Sequence, residues 1–333
     1  MKVAVLGAGS WGTALALQLA RLDAEVHLWD RETKRAGQME SFRENRRYLP
    51  GSTFPDNITV TGSLETALSE ATLVIVVVPS QSVREVMKVA QPHLSDSVVI
   101  CCASKGIEAN TLMTMAEVLE AVLPIEAHNR VCVLTGPSFA KEVAVDLPTA
   151  VLVAGKNERT NEIVIEALHG GNFRVYHTDD IIGAELGGAL KNIVAIACGI
   201  SDGIGLGLNA RAALMTRGLA EIGRLAVARG ANPLTMAGLA GMGDLVLTCT
   251  GNLSRNRRLG LGLGQGKSLQ EVLSELGQVA EGVETARSAH HLARRTGVEM
   301  PITDQIFGIL HEKKSAVVAL RDLLDRRRKA ERD

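Results

Sequence analysis

Lys2-Val3-Ala4-Val5-Leu6-Gly7-Ala8-Gly9-Ser10-Trp11-Gly12-Thr13-Ala14-Leu15-Ala16 reads as a buried strand, a glycine turn and a helix start in one unbroken run. This order puts Gly7-x-Gly9-x-x-Gly12 where dinucleotide-binding folds carry their phosphate turn. Each glycine has a separate job. Gly7 permits the tight turn, Gly9 lets the backbone approach a pyrophosphate, and Gly12 lets the helix pack close to the strand. The pyrophosphate then lies at the helix N-terminus, where free N–H groups and the macrodipole favour negative charge.

The next apolar run, Glu25-Val26-His27-Leu28-Trp29, is expected to be a second strand. It ends at Asp30, 18 positions beyond Gly12, close to where such folds carry a carboxylate for the ribose hydroxyls. Arg31 follows at once, and an arginine there can pair with a ribose 2′-phosphate. Asp30 points to NAD and Arg31 to NADP, so the cofactor is NADP or NAD, with tolerance of or preference for NADP expected.

Composition narrows the alternatives. The 333 residues leave room for two domains, each with its own core. Aromatics make up only 3% against 46% hydrophobic residues, so the core must be built from Ala, Val, Leu and Ile. Lys+Arg 36 against Asp+Glu 37 gives no global field to draw in nucleic acid or an anionic membrane. Any anion site must be local. Cys101, Cys102, Cys132, Cys198 and Cys249 form no CxxC pair and are odd in number, which fits reduced, buried thiols in a cytosolic protein and suggests no metal site. The first strand begins at Lys2, which leaves no room for a signal peptide, and no apolar stretch reaches transmembrane length uninterrupted. A cytoplasmic protein without membrane insertion is expected, and homodimerisation is the prior for an enzyme of this size. The charged end Asp325–Asp333 reads as a solvated, frayed helix terminus.

Short apolar runs alternate with helical patterns through the first half: Lys2–Leu6, Glu25–Trp29, Leu73–Val78, Val98–Cys102, Val131–Leu134 and Ala150–Ala154. That alternation predicts an α/β, Rossmann-like domain over residues 1–178, a mostly parallel doubly wound sheet with helices on both faces. Leu73–Val78 is apolar throughout and is expected to be a central strand. It stops at Pro79, and Ser80 is expected to cap the helix that follows. Ligands in such folds gather beyond the carboxyl ends of the strands. Pro79-Ser80, Ala103-Ser104-Lys105-Gly106 and Thr135-Gly136-Pro137-Ser138-Phe139-Ala140-Lys141-Glu142 all fall there. After about Asp179 strand signals stop, predicting an all-helical second domain over 179–333.

Its opening helix, roughly Asp180–Gly203, is apolar and rich in small residues, which implies burial on most faces. Glycine inside a helix costs about 1 kcal/mol relative to alanine, so Gly187 and Gly188 imply a close approach by another segment. Lys191 sits within this helix. A buried lysine is rare unless paired or functional, and burial draws its pKa toward the range useful for proton transfer. A second cluster combines Gly243-Asp244-Leu245 and Thr248 with Ser254-Arg255-Asn256-Arg257-Arg258. Asp244 and Thr248 share a face if the segment is helical. Ser254, Arg255 and Asn256 offer a hydroxyl, a guanidinium fork and an amide suited to a phosphate or a polyhydroxylated substrate. The plainer reading is an N-cap serine followed by solvated arginines.

Gly7–Ala14, Asn45-Arg46-Arg47-Tyr48-Leu49-Pro50, Ser104-Lys105-Gly106-Ile107, Gly136-Pro137-Ser138-Phe139-Ala140, Leu190-Lys191-Asn192 and Gly243-Asp244-Leu245 with Ser254-Arg255-Asn256 resemble, in order and spacing, the bacterial NAD(P)-dependent glycerol-3-phosphate dehydrogenases. The resemblance covers nearly the whole chain. It implies reversible hydride transfer between a nicotinamide cofactor and dihydroxyacetone phosphate, supplying sn-glycerol 3-phosphate for phospholipid synthesis. Under it Lys191 is the catalytic acid/base and Lys105 contacts both substrate and cofactor. Gly136, Ser138, Asp244, Ser254, Arg255 and Asn256 line the substrate site. Gly7, Gly9, Ser10, Trp11, Gly12, Arg31, Tyr48, Ala140, Arg255, Val279 and Glu281 contact the cofactor.

The residues' own chemistry agrees, since an ammonium at Lys191 can stabilise and then protonate the alkoxide formed by hydride transfer. Asp244 is placed to hold that lysine, but its charge opposes desolvation, so the sign of the pKa shift stays open. Two alternatives compete with this reading. A β-hydroxyacid-type dehydrogenase carries Lys-x-x-x-Asn on the interdomain helix, whereas here Asn192 directly follows Lys191 and Ala195 stands four positions on. A non-catalytic NAD(P)-binding sensor would leave Lys191, Asp244 and Arg255 unexplained. A lactate- or malate-type enzyme needs a catalytic histidine, and His290-His291 reads as surface.

Overall fold

The computed structural model describes residues 1–277, 279–327 and 330. Eight strands form one sheet: β1 (Lys2–Leu6), β2 (Glu25–Trp29), β3 (Ile58–Thr61), β4 (Leu73–Val76), β5 (Val99–Cys102), β6 (Val131–Thr135), β7 (Thr149–Ala154) and β8 (Phe173–Thr178). Their order across the sheet is β3-β2-β1-β4-β5-β6-β7-β8. Every neighbouring pair is parallel except β6 with β7. The Rossmann-like doubly wound sheet is therefore present, extended by one antiparallel step.

Alternate residues of the central strands feed two separate cores. Val3, Val5, Leu73 and Ile75 point to one, while Ala4, Leu6, Val74 and Val76 point to the other. A strand buried on both faces must be apolar throughout, which is why β4 was legible as central. It is shorter than expected, because Val77 and Val78 leave the ladder to pass the glycine turn. The edges behave differently. β3 and β8 expose alternate residues, so neither shows the continuous apolar run by which the inner strands were found.

No strand follows Thr178 among the described residues. The long helix Ile181–Ile204 starts three residues later, with the Asp180 side chain accepting from the Gly183 N–H as its N-cap. It is the axis of a third core, built by Leu190, Ile193, Val194 and residues of the surrounding helices. By length and composition this helix could cross a membrane, but 89% of its most apolar window is buried inside the protein. Such burial is what a core helix of a helical layer needs. All five cysteines are free and buried, as expected. Of the charged terminus, Arg328, Lys329 and 331–333 lie outside the described residues; Arg326 donates to Glu299.

Candidate active site

The carboxyl ends of the parallel strands deliver the glycine turn, Asp30, the Lys105 loop and the Gly136 turn to one side of the sheet. At the first of these the three glycines separate by function. Gly7 has φ +126°, and a Cβ there would come within 2.8 Å of the Val77 carbonyl oxygen. A Cβ on Gly12 would collide with the Gly7 carbonyl, whereas one on Gly9 would meet nothing within 4 Å. Gly7 and Gly12 thus close the turn, and Gly9 opens its outer face. The helix Ser10–Arg21 begins there without a side-chain cap, which leaves its first-turn N–H groups available to an anion. Trp11 Nε1 is buried and has no hydrogen-bond partner within the described residues.

Asn45 locks this turn from behind, donating to the Ala8 carbonyl (2.9 Å) and to Thr13 Oγ1 (2.8 Å). Its own oxygen accepts from the Tyr48 N–H, and Ser10 Oγ donates to the Tyr48 carbonyl at 2.7 Å. Ser10, Trp11 and Tyr48 therefore meet at the turn. Arg31 is exposed beside Asp30. Gly7, Gly9 and Gly12 with this surround form a cradle that fits a dinucleotide pyrophosphate.

The second half of the site forms around Lys191. The residue is 6% exposed on an otherwise apolar helix, and Asp244 is 1% exposed. Lys191 Nζ donates to Asp244 Oδ1, and Lys105 Nζ donates to Asp244 Oδ2 at 2.7 Å. Lys105 also donates to the Gly136 carbonyl at 3.2 Å, and Ser138 Oγ donates to the same oxygen. One carboxylate is thus shared by two ammonium groups from different parts of the chain. Burial lowers the Lys191 pKa to about 7; Asp244 opposes that shift, and the like charge of Lys105 adds to it. The sign that the sequence left open is therefore downward, because desolvation outweighs the carboxylate.

The close approach implied by Gly187 and Gly188 is real. A Cβ on Gly187 would come within 2.6 Å of the Ala240 carbonyl oxygen, and one on Gly188 within 2.5 Å of Thr135 Oγ1. Those contacts press the π-helical turn Leu239–Gly243 and the β6 end against the long helix, setting Asp244 and Lys105 beside Lys191. Asp244 opens the helix Asp244–Thr250, and Thr248 Oγ1 donates back to its carbonyl at 2.6 Å, so the two share a face.

Ser254 is the N-cap of the helix Arg255–Gly264, its oxygen accepting from the Arg257 N–H. The plainer reading of that serine holds, but Arg257 is no solvated arginine: it donates to Asp202 through Nε and Nη2. Asn256 Nδ2 donates to Asn192 Oδ1 at 2.9 Å, and its oxygen accepts from the Gly282 N–H. This pair fixes the Ser254–Asn256 turn next to Lys191. Arg255 donates to the Val279 carbonyl at 2.9 Å, and Glu281 and Tyr48 both act on its charge, which links the two halves of the cleft. Ala140 starts the short helix Ala140–Ala144 after the Gly136 turn.

Ser80 is not the helix cap expected. It lies inside a 3-10 turn, and its Oγ donates to Glu281 Oε2 at 2.8 Å. That bond ties the end of β4 to the start of the helix Gly282–Thr296. Gly106 makes room for it, since a Cβ there would come within 2.6 Å of Ser80 Cβ. His290 also departs from the surface reading: it is buried, stacks on Phe307 at 4.1 Å and pairs with Asp304 at 2.8 Å. His291 is exposed. Sequence reasoning gave no role to Asn192 and gave Ser80 only that of a helix cap; a buried amide beside a buried lysine was the available signal for the first, and no signal pointed to the Glu281 contact of the second.

Two family models match the chain: the NAD-dependent glycerol-3-phosphate dehydrogenase N-terminus over residues 2–161 and its C-terminus over 180–321. The chain belongs to the NAD-dependent glycerol-3-phosphate dehydrogenase family. Glycerol-3-phosphate dehydrogenase [NAD(P)+] of Geobacter sp. (strain M21) is 52% identical over 99% of this chain and 98% of its own. The enzyme of that name from Anaeromyxobacter sp. (strain K) is 54% identical over 96% and 97%. The crystal structure of glycerol-3-phosphate dehydrogenase from Coxiella burnetii superposes with a TM-score of 0.93 at 45% identity, covering 98% of this chain and 99% of that one. Membership makes the chain an NAD- or NADP-dependent oxidoreductase, and displaces the β-hydroxyacid and sensor readings.

Proposed function

We propose that the protein reduces dihydroxyacetone phosphate reversibly to sn-glycerol 3-phosphate with NADPH or NADH, and that Lys191 is the acid/base. The observation that carries this reading is the buried lysine whose proton is held near neutrality by burial and by a carboxylate shared with a second lysine. Bound at the glycine turn, the nicotinamide cofactor supplies or takes up the hydride. The chain's own residues do the rest.

Lys191 Nζ donates a hydrogen bond to the substrate carbonyl oxygen and releases a proton to it as the alkoxide develops. A pKa of about 7 lets the same group take that proton back in the oxidation direction. Asp244 fixes the direction of the Lys191 ammonium, and Lys105 occupies its other oxygen. Two ammonium groups against one carboxylate leave a net positive site, which suits an anionic substrate. Arg255, with the Ser254 hydroxyl and the remaining Asn256 N–H, takes the phosphate. Gly136 and Ser138 line the opposite side. Lys105, Ala140, Val279 and Glu281 complete the cofactor contacts begun by Ser10, Trp11, Arg31 and Tyr48.

In this reading residues 1–178 bind the dinucleotide and 179–333 bind the substrate and carry the acid/base, the boundary falling between β8 and the long helix. The protein acts as a cytoplasmic homodimer that feeds glycerophospholipid synthesis. The test is product analysis: dihydroxyacetone phosphate and reduced cofactor must yield the sn-glycerol 3-phosphate enantiomer. Oxidation of cofactor by β-ketoacids but not by dihydroxyacetone phosphate would overturn the assignment.

A further inference from the structure

The carboxylate at the end of β2 is already engaged. Asp30 is 3% exposed. Its Oδ1 accepts from Arg35 Nη2 at 2.6 Å and from the Glu32 N–H at 2.8 Å, and its Oδ2 accepts from Arg35 Nε at 2.8 Å. Arg35 Nη1 donates to Glu32 Oε2 at 2.6 Å. This is a side-on guanidinium fork, the strongest geometry available to such a pair. It cancels the charge of Asp30 and occupies both oxygens that would otherwise accept the two ribose hydroxyls.

Apart from Glu32, which shares the Arg35 guanidinium, the rest of the neighbourhood is cationic. The Arg35 guanidinium lies 5.6 Å from the centre of the Tyr48 ring, and that of Arg47 lies 5.3 Å from the same ring. Arg31 is exposed next to Asp30. Tyr48 is itself held at the glycine turn by Ser10 and Asn45. Two guanidinium groups therefore lie by one ring, Arg31 stands exposed next to the paired carboxylate in sequence, and Arg35 retains two of its five N–H groups for a further acceptor.

We propose that Arg35 determines the choice of cofactor: by clamping Asp30 it turns a site suited to a ribose diol into one that takes a ribose 2′-phosphate, with Arg31 as the second cation. This rests on the dinucleotide site proposed above. A ribose carrying only hydroxyls finds both oxygens of a buried Asp30 already engaged by the fork, whereas a 2′-phosphate meets free guanidinium N–H groups beside a carboxylate that is already paired.

Titration calorimetry of the full-length protein with adenosine 2′,5′-bisphosphate and adenosine 5′-monophosphate tests this without turnover. Wild type is expected to bind the bisphosphate at least about tenfold more tightly. Arg35→Gln frees Asp30, so the bisphosphate weakens by about a hundredfold while the monophosphate holds or improves. Asp30→Asn, which removes the carboxylate but keeps one amide oxygen to accept from Arg35, leaves monophosphate affinity unchanged. Equal weakening of both fragments by Arg35→Gln would make Arg35 a merely structural residue, and loss of monophosphate binding in Asp30→Asn would show that Asp30 serves the ribose after all; either result overturns the proposal. Binding of neither fragment by wild type would overturn the cofactor site together with the clamp.

Discussion

Asp244→Asn removes the carboxylate that Lys191 and Lys105 share. Unit charges about 4 Å apart at an effective permittivity of about 20 interact by about 4 kcal/mol, which is about three pKa units. Burial and Lys105 already push the Lys191 pKa down, and only Asp244 holds it at about 7. Without that charge the pKa falls further below the ordinary lysine range, by about that much. At pH 7 the protonated fraction then drops from about one half to about one thousandth, and reduction of dihydroxyacetone phosphate, which needs the proton, slows by about 500-fold. The assay is the single-turnover loss of reduced-nicotinamide absorbance at saturating substrate, from about pH 5 to about pH 9. Wild type should fall through a midpoint near 7 as pH rises, and the variant should still be climbing at the acid limit. A slower variant that keeps its midpoint near 7 would refute the claim that Asp244 sets the proton affinity of Lys191.

Gly9→Ala and Gly12→Ala should part company. The first faces open space at φ −76° and should leave the unfolding temperature within about 2 °C while weakening cofactor binding at least about tenfold; the second drives a methyl into the Gly7 carbonyl and should cost more than about 3 kcal/mol in chemical denaturation. Gly187→Ala pushes the turn before Asp244 away from the long helix, so it should lose about 1–3 kcal/mol and lower kcat as well, because Asp244 moves with the turn. Ser254→Ala should lose about 1 kcal/mol as an N-cap, and Ser254→Gly only a few tenths. An equal rise in the substrate KM in both would separate the hydroxyl's role at the phosphate from its role as a cap.

Much of this was legible because the signals were local. A glycine turn between a strand and a helix, and apolar runs buried on both faces, announce a Rossmann-like sheet within a few residues. The edge strands β3 and β8 escaped, since half their side chains face solvent and the runs alternate. Lys191 could be singled out because an apolar helix seldom carries a lysine. Asp244, 53 residues away, could be named as its partner only once the resemblance had set the two in one site, and that Lys105, 139 residues from that aspartate, shares the carboxylate was not legible at all. The sign of its pKa shift depends on how much water the fold excludes, which is a property of packing. Ser80 and Glu281 meet across 201 residues, and nothing in either local sequence anticipates it. His290 misled for the opposite reason: its charged helical surroundings suggest solvent, but Phe307 and Asp304 from the next helix cover it.

The most direct test compares wild type with Lys191→Met on mixing with dihydroxyacetone phosphate and NADPH, then NADH, with cofactor affinity measured on both proteins. The methionine fills the buried volume and leaves Asp244 paired with Lys105. Rapid oxidation of cofactor by wild type, with none by a variant that binds cofactor equally well, is the predicted result. Turnover by the variant within about tenfold of wild type would contradict the account, because the proton would then come from another group.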